Sequence, residues 1–490
     1  MGLIIQKKHD TNLSLVDGLI CFYLALPLLI FCSWFKLPFA IAFAAMVLFS
    51  FYKTLHAATF CNFEITPKLA VVILLVAGAW TALAGIGHFV FANFDWVVRD
   101  AVLRDLIETA WPPKYGGDGA FALILRAPVA YYLPAAVVGT LLGLGLGDIA
   151  LYLWTVAGFV LFLWAATTLF PSNRHRMIAI CVLIWFGGLD LLGFIQVNGV
   201  LPALGMNIEG WAKFAQYSSN STLLFWVPNH ALPSWLGIVL VLRHWRKSGL
   251  AQVAPLLAAT IPLWSPLAAI GLAPFVITGL SWRQDYRRLF SIQTSLPWLG
   301  LAMIVARYIT LDAQTIPSGW ALSTLGVSEF FKTYTRFVIL EFGLLVLILR
   351  RMGVYDLQLW VAVLVLLALP LYRFGVANDL VMRSSIPALA VVALATVRPL
   401  MSVRDHFWRQ SLLVLMILGA LGSAEQPLRA ILRPRWALTG QTLQEVMSQH
   451  FGGALPPHYV AKLNQPGLMK LMREPSLVQP TTLTSPVLAP

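Results

Sequence analysis

The sequence predicts an all-α fold, a polytopic transmembrane helical bundle of about thirteen spans. Three observations lead there. Of 490 residues, 59% are hydrophobic and only 11% charged, with a mean hydropathy of +0.78, which suits a bilayer and not a soluble domain of this length. Apolar stretches recur along the whole chain. The lysines and arginines gather in short clusters between them, as cytoplasmic loop charges do. The net charge of +13 is therefore an orientation signal, and no nucleic-acid partner is expected. Cys21, Cys32, Cys61 and Cys181 lie in or beside apolar stretches without a CxxC pair, so neither a disulfide framework nor a cysteine metal site is expected.

The spans fall at roughly 14–35, 38–56, 69–91, 149–170, 177–195, 229–243, 250–264, 266–281, 292–311, 333–350, 356–372, 385–400 and 407–424. Lys7 and Lys8 precede a first span long enough to stay in the membrane, which reads as an anchor. The clusters Lys7/Lys8, Lys53/Lys68, Arg174/Arg176, Arg243/Arg246/Lys247, Arg283/Arg287/Arg288, Arg350/Arg351 and Arg398/Arg404 set the N-terminus and those loops in the cytoplasm. Segments 92–148, 196–228, 312–332, 373–384 and the tail from 425 are then external. Residues 1–424 form the transmembrane domain, 92–148 its first large external loop, and 425–490 an external tail. In the tail one amphipathic stretch near 440–451 is followed by Pro-rich coil.

One apolar segment breaks the parity. If 127–147 crossed, either 93–126 would be cytoplasmic or Arg174/Arg176 external. The simplest repair is a juxtamembrane or re-entrant helix on the outer face. Pro128, Pro134, Gly143, Gly145 and Gly147 suit a broken element. The competing reading is that the positive-inside rule fails at one loop.

The most polar interruption follows the span at 69–91. Asp95, Arg99, Asp100, Arg104, Asp105 and Glu108 fall between positions 95 and 108. Residues 95–110 read as an interfacial helix, with Val98, Ala101, Val102, Leu106 and Ile107 on an apolar face and Asp95–Arg99 and Asp100–Arg104 as i,i+4 pairs. Pro112 and Pro113 end it. On this reading Asp100, Asp105 and Glu108 are solvated helix charges.

This arrangement resembles the GT-C class of integral-membrane glycosyltransferases. The residues that carry the resemblance are Asn93-Phe94-Asp95 at a helix exit, the interfacial helix 95–110, and Ala130-Tyr131-Tyr132-Leu133-Pro134 opening a non-crossing segment. The hairpin of spans before the acidic helix and the order Tyr-Tyr-Leu-Pro depart from the usual pattern. The resemblance implies an enzyme that takes a sugar from a polyprenyl-phosphate-linked donor and passes it to a glycan or glycolipid acceptor. It places that chemistry on the outer face of the bacterial inner membrane, among membrane lipid.

Such chemistry needs a carboxylate in reach of the acceptor hydroxyl and cations, or a metal ion such as Mg2+ or Mn2+, to hold the leaving phosphate. Asp95 is the base candidate, against a plain ion pair with Arg99. The substrate-binding candidates are Arg99, Asp118 in its glycine turn, Tyr131, Tyr132, His230, Lys332, Arg336, Asp379 and Arg383. Arg383 suits bidentate phosphate contact, against a salt bridge to Asp379. Asp190, Arg307 and Glu341 are charges within spans, where charge is expensive; snorkelling explains Arg307. The sequence carries no Walker loop, dinucleotide fingerprint or His/Cys metal spacing. The alternatives are an oligosaccharide polymerase or ligase, and a lipid-linked glycan transporter or flippase with inverted repeats and broken helices at the midplane.

Overall fold

A computed structural model describes residues 13–56, 65–116, 122–126, 128–280, 289, 291, 295–402, 406–462 and 466–481. It is mostly helical. A helix stands at each position where a span was expected, and six are long and apolar enough to cross a membrane on their own. The protein is a multi-pass membrane protein by that measure.

The first six helices are α1 (Leu15–Phe31), α2 (Leu37–Leu55), α3 (Pro67–Leu83), α4 (Asp95–Glu108), α5 (Leu133–Leu142) and α6 (Leu144–Thr168). Helix α3 starts where Thr66 Oγ1 accepts from the Leu69 amide and Pro67 occupies the first turn. It ends at Leu83, short of the expected 91. Gly85, Gly87 and His88 all take positive φ, a left-handed geometry that cannot continue a helix. Residues 84–94 are thus a loop that carries the chain into α4.

Helix α5 has ten residues, about 15 Å at a rise of about 1.5 Å each, half the thickness of a bilayer core. Gly143 at φ +89 reverses the chain, and Gly139 then packs on Gly147 of α6. The pair is a short leg folded against a full span, the broken element that the prolines and glycines suggest.

There follow α7 (Asn173–Trp185), α8 (Asp190–Asn198), α9 (Asn220–Trp226), α10 (Pro228–Arg243), α11 (Ser248–Trp264), α12 (Pro266–Gly279) and α13 (Ser295–Ile309). Next come α14 (Ala321–Leu325), α15 (Val327–Val338), a π turn (Ile339–Gly343), α16 (Leu344–Arg351) and α17 (Leu357–Ala368). The last are α18 (Asp379–Ser384), α19 (Ile386–Leu400), α20 (His406–Leu432), α21 (Leu443–His450) and α22 (Pro466–Leu471).

The fold is not purely helical. Strands β1 (Pro113–Tyr115), β2 (Leu123–Leu125), β3 (Ser318–Trp320), β4 (Tyr372–Phe374), β5 (Val460–Lys462) and β6 (Ser476–Leu477) form two small sheets. One has the order β5-β2-β1-β6 and the other pairs β3 with β4. In the first sheet β2 is antiparallel to both β1 and β5, while β6 runs parallel to β1.

That sheet corrects the reading of the tail. Residues 460–462 and 476–477 pair by backbone with 123–125 and 113–114, so these parts of the tail do not trail as coil. Helix α21, opened by a Thr442–Glu445 capping box, sits where the amphipathic stretch was expected. Its Leu443 amide donates to Asp105 Oδ2 at 3.0 Å. Arg126 anchors the next segment: its guanidinium donates to the carbonyls of Ile309, Leu311 and Pro457, and its amide to Tyr459 O.

Helix α4 is corrected by the same contact. Every residue from Trp96 to Ile107 is buried, because α5 and α6 cover one side and the tail the other. It is not an amphipathic helix with a wet face. Only its ends, Asp95 and Glu108, reach water.

Candidate functional site

Asp95 is the first residue of α4, and its side chain is 43% exposed. The loop before it is fixed at two points. Asn93 Nδ2 donates to Phe225 O at 2.7 Å, and Trp96 Nε1 to the same carbonyl at 3.0 Å. Asn93 Oδ1 accepts from the Asp95 amide at 3.0 Å. The start of α4 is therefore pinned to the end of α9, which gives Asp95 a rigid base.

Arg99, one turn on, is 3% exposed. Its Nη2 lies 3.5 Å from Asp95 Oδ2, and its Nη1 donates to Asn229 Oδ1 at 2.9 Å and to the Tyr132 hydroxyl at 3.4 Å. Its Nε is buried without a partner among the described residues. Arg383, on α18, is its counterpart. Its side chain is 15% exposed, its contact to Asp379 is long at 3.6 Å, and its Nε is also buried and finds no partner among the described residues. The charges that face Arg383 include Asp379, Asp95 and Arg99.

Two mostly buried guanidiniums that act on each other, as Arg99 does on Arg383, repel. They are stable there when an anion joins them. The arrangement offers two planar cations with spare donors beside a half-exposed carboxylate.

His458 and Tyr459, delivered by the tail, complete the rim. Both face Asp95, Asp379 and Arg383. Sequence reasoning missed them. The signal was faint: an aromatic pair in a Pro-rich stretch, positioned only by pairing of β5 with β2.

Tyr132 belongs to the site through Arg99. Tyr131 packs edge-on against Tyr132, and its hydroxyl hydrogen-bonds Thr155 Oγ1 at 2.8 Å. His230 stands next to Asn229 and uses Nδ1 on Ser265 Oγ at 2.7 Å. Arg99 and Arg383 both face it. Lys332 and Arg336 lie on α15, and neither is among the charges facing Arg383 most strongly. Asp118 lies outside the described residues.

The expectation that Asp100 and Asp105 are solvated is overturned. Asp100 is 1% and Asp105 0% exposed. Asp105 Oδ2 accepts from the Tyr115 hydroxyl at 2.8 Å as well as from Leu443 N. Burial pushes its carboxyl up to about 6 against these donors and Arg104. Glu108 is exposed as expected and pairs with Arg104 at 2.7 Å.

Asp100 belongs to a buried triad. His88 Nε2 is 3.0 Å from Asp100 Oδ2, and His88 Nδ1 is 3.0 Å from Asp148 Oδ2 on α6. Burial pulls the imidazole down, but the two carboxylates outweigh it and raise His88 to about 10. Burial likewise raises Asp100, to about 6, against His88.

The three side chains present ligand atoms within 4.8 Å of one another. Even so, both ring nitrogens already face a carboxylate at hydrogen-bond length, so a protonated imidazole fills the place of a cation. A metal needs a bare ring nitrogen, and Mg2+ or Mn2+ favours oxygen ligands. The triad fits an imidazolium clamp joining the 84–94 loop to α4 and α6.

No protein-family model, characterised protein or solved structure matches this chain.

Proposed function

We propose that the protein is a membrane glycosyltransferase. It moves a sugar from a polyprenyl-phosphate-type lipid donor to an envelope glycan or glycolipid acceptor at the outer face of the bacterial inner membrane. One observation carries the reading: a half-exposed carboxylate, Asp95, lies 3.5 Å from the buried Arg99 and is among the charges acting on the mostly buried Arg383, whose contact to Asp379 is long at 3.6 Å.

In this reading the guanidiniums take the donor phosphate and Asp95 takes the proton of the acceptor hydroxyl. The acceptor oxygen bonds to the anomeric carbon as the carbon–oxygen bond to phosphate breaks. Its electron pair stays on the phosphate, where the arginines stabilise it. Asn93, Trp96 and the buried body of α4 hold Asp95 still, which preorganised catalysis needs. No step runs through a metal ion.

Transport of a lipid-linked glycan is the second reading. The break at 186–189 between α7 and α8 favours it, since transporters place broken helices at their sites.

Purified protein in lipid, given polyprenyl-phosphate-linked sugars, tests the choice. Release of polyprenyl phosphate with transfer of the sugar, lost in Asp95→Asn, supports the enzyme. Vesicle translocation of the intact donor without release overturns it.

A further inference from the structure

Far from Asp95 in sequence, a second acidic group lies within the helical body. Asp190 opens α8 and is 0% exposed; Glu341 sits in the π turn and is 3% exposed. The two carboxyl groups act on each other as neighbours, with Trp211 beside both. Asp190 Oδ1, Asp190 Oδ2 and Glu341 Oε2 are buried and find no donor among the described residues. Glu341 Oε1 accepts from Trp211 Nε1 at 3.0 Å.

The backbone is broken on both sides of the pair. Residues 186–189 interrupt one apolar helical stretch, and the π turn interrupts another. Leu189 N donates to Leu340 O across them at 3.1 Å. Gly188 admits Glu341: a Cβ there would collide with Oε2. π turns gather at functional sites, and buried charge within a membrane is costly unless it serves a function.

The other groups facing the pair do not neutralise it. Glu209 adds a third carboxylate, already satisfied by the Ser219 amide and hydroxyl and the Thr222 hydroxyl. Tyr217 faces Glu341 but donates its hydroxyl to Leu366 O. On α20, Gly422 lies against Asp190, and Arg429 further along is held by Glu425 and Gly205 O.

We propose that Asp190 and Glu341 form an intramembrane proton-binding site, one carboxyl donating to the other across the two helix breaks. Two facing carboxylates at this depth cannot both ionise. A single proton supplies the donor that the orphan oxygens lack.

Its loss would force the breaks apart. Helix α9 hangs from the same segment: Asn220 N donates to Phe186 O, Asn220 Nδ2 to Leu183 O and Ser221 Oγ to Ile184 O. The far end of α9 pins Asn93 and Trp96. The proton therefore holds the platform on which Asp95 stands. The site itself is independent of the proposed reaction.

Infrared difference spectroscopy on the full-length protein in lipid nanodiscs tests it, with buffers exchanged between neutral and strongly alkaline pH. A carboxylic-acid carbonyl band should be present at neutral pH, shift in D2O, and vanish in both Asp190→Asn and Glu341→Gln. The amide variants mimic the proton-bearing state, so both should fold with unchanged thermal stability, whereas Asp190→Ala should melt lower. A band that persists in both amide variants, or no band at all, overturns the proposal. Failure of both amide variants to fold also overturns it. So does a stabilisation by sodium chloride, absent with choline chloride, that the variants abolish, because a metal cation would then be the ligand.

Discussion

Helix α4 carries acids of two kinds, about one and a half and three turns apart. Asp95 at its start is half exposed, beside cations that have donors to spare. Asp100 and Asp105 in its middle are sealed in with dedicated partners: His88 for one, Tyr115 and the Leu443 amide for the other. The same residue type on the same helix builds a site in the first case and a scaffold in the second. What separates them is access: Asp95 is 43% exposed, whereas Asp100 and Asp105 are enclosed by neighbouring segments. Removing a scaffold acid should damage assembly, and removing the site acid should damage chemistry alone.

The largest effect should come from the scaffold. Asp105→Ala strips the acceptor from Tyr115, Leu443 and Arg104 at once. Breaking a buried charged network typically costs about 3–5 kcal/mol. Thermal melting should fall clearly, and limited proteolysis should release the tail beyond 433. A variant that melts like the parent with its tail protected would break the distinction between the two kinds of acid.

Next comes the His88 clamp. Its folded pKa of about 10 lies above the ordinary 6.5. The folded state therefore holds an extra proton between those values, and its stability should fall as pH rises through that window. Below the window the contribution is fully present. Melting temperature against pH should show this slope, and His88→Gln should flatten it. An unchanged slope in His88→Gln would remove the imidazolium from the account.

Topology sharpens the comparison from outside. Lys114→Cys on β1 and Ser172→Cys after α6 should label from opposite faces of the membrane, because α5 is too short to cross and α6 is not. Labelling of both from one face would mean that 127–147 crosses after all. The smallest effect is expected on α15, where Lys332→Ala and Arg336→Ala should leave polyprenyl phosphate affinity within about twofold, less than the loss of one hydrogen bond. A larger loss would extend the cationic site beyond Arg99 and Arg383.

Much of this was legible in the sequence for a physical reason: local signals have local causes. The start of α4 at Asp95, the break at Gly143 and the amphipathic stretch that becomes α21 each depend on residues a few positions apart. The span expected to reach 91 stops at Leu83 because the left-handed turn at 85–88 was read as part of an apolar run. Asp100 was misread as wet because Arg104 at i+4 offered a plausible partner nearby, and Asp105 because it stands in the same polar run. Their burying partners come from outside the helix, and the Leu443 amide lies far along the chain. His458 and Tyr459 were invisible for the same reason. Strands two or three residues long carry no periodicity, and only their pairing brings the tail to Arg383.

The division of labour at Asp95 is the central claim, and polyprenyl phosphate affinity tests it most directly in the full-length protein in nanodiscs. Arg383→Ala should weaken binding by about 1.5–3 kcal/mol, the size of a charge-assisted hydrogen bond. Asp95→Asn should bind at least as tightly as the parent, since it removes a negative charge beside the phosphate, while sugar transfer falls by about 10²–10⁴. If Asp95→Asn lost the lipid and Arg383→Ala kept it, the cations would not hold the anion and the carboxylate would not be reserved for chemistry.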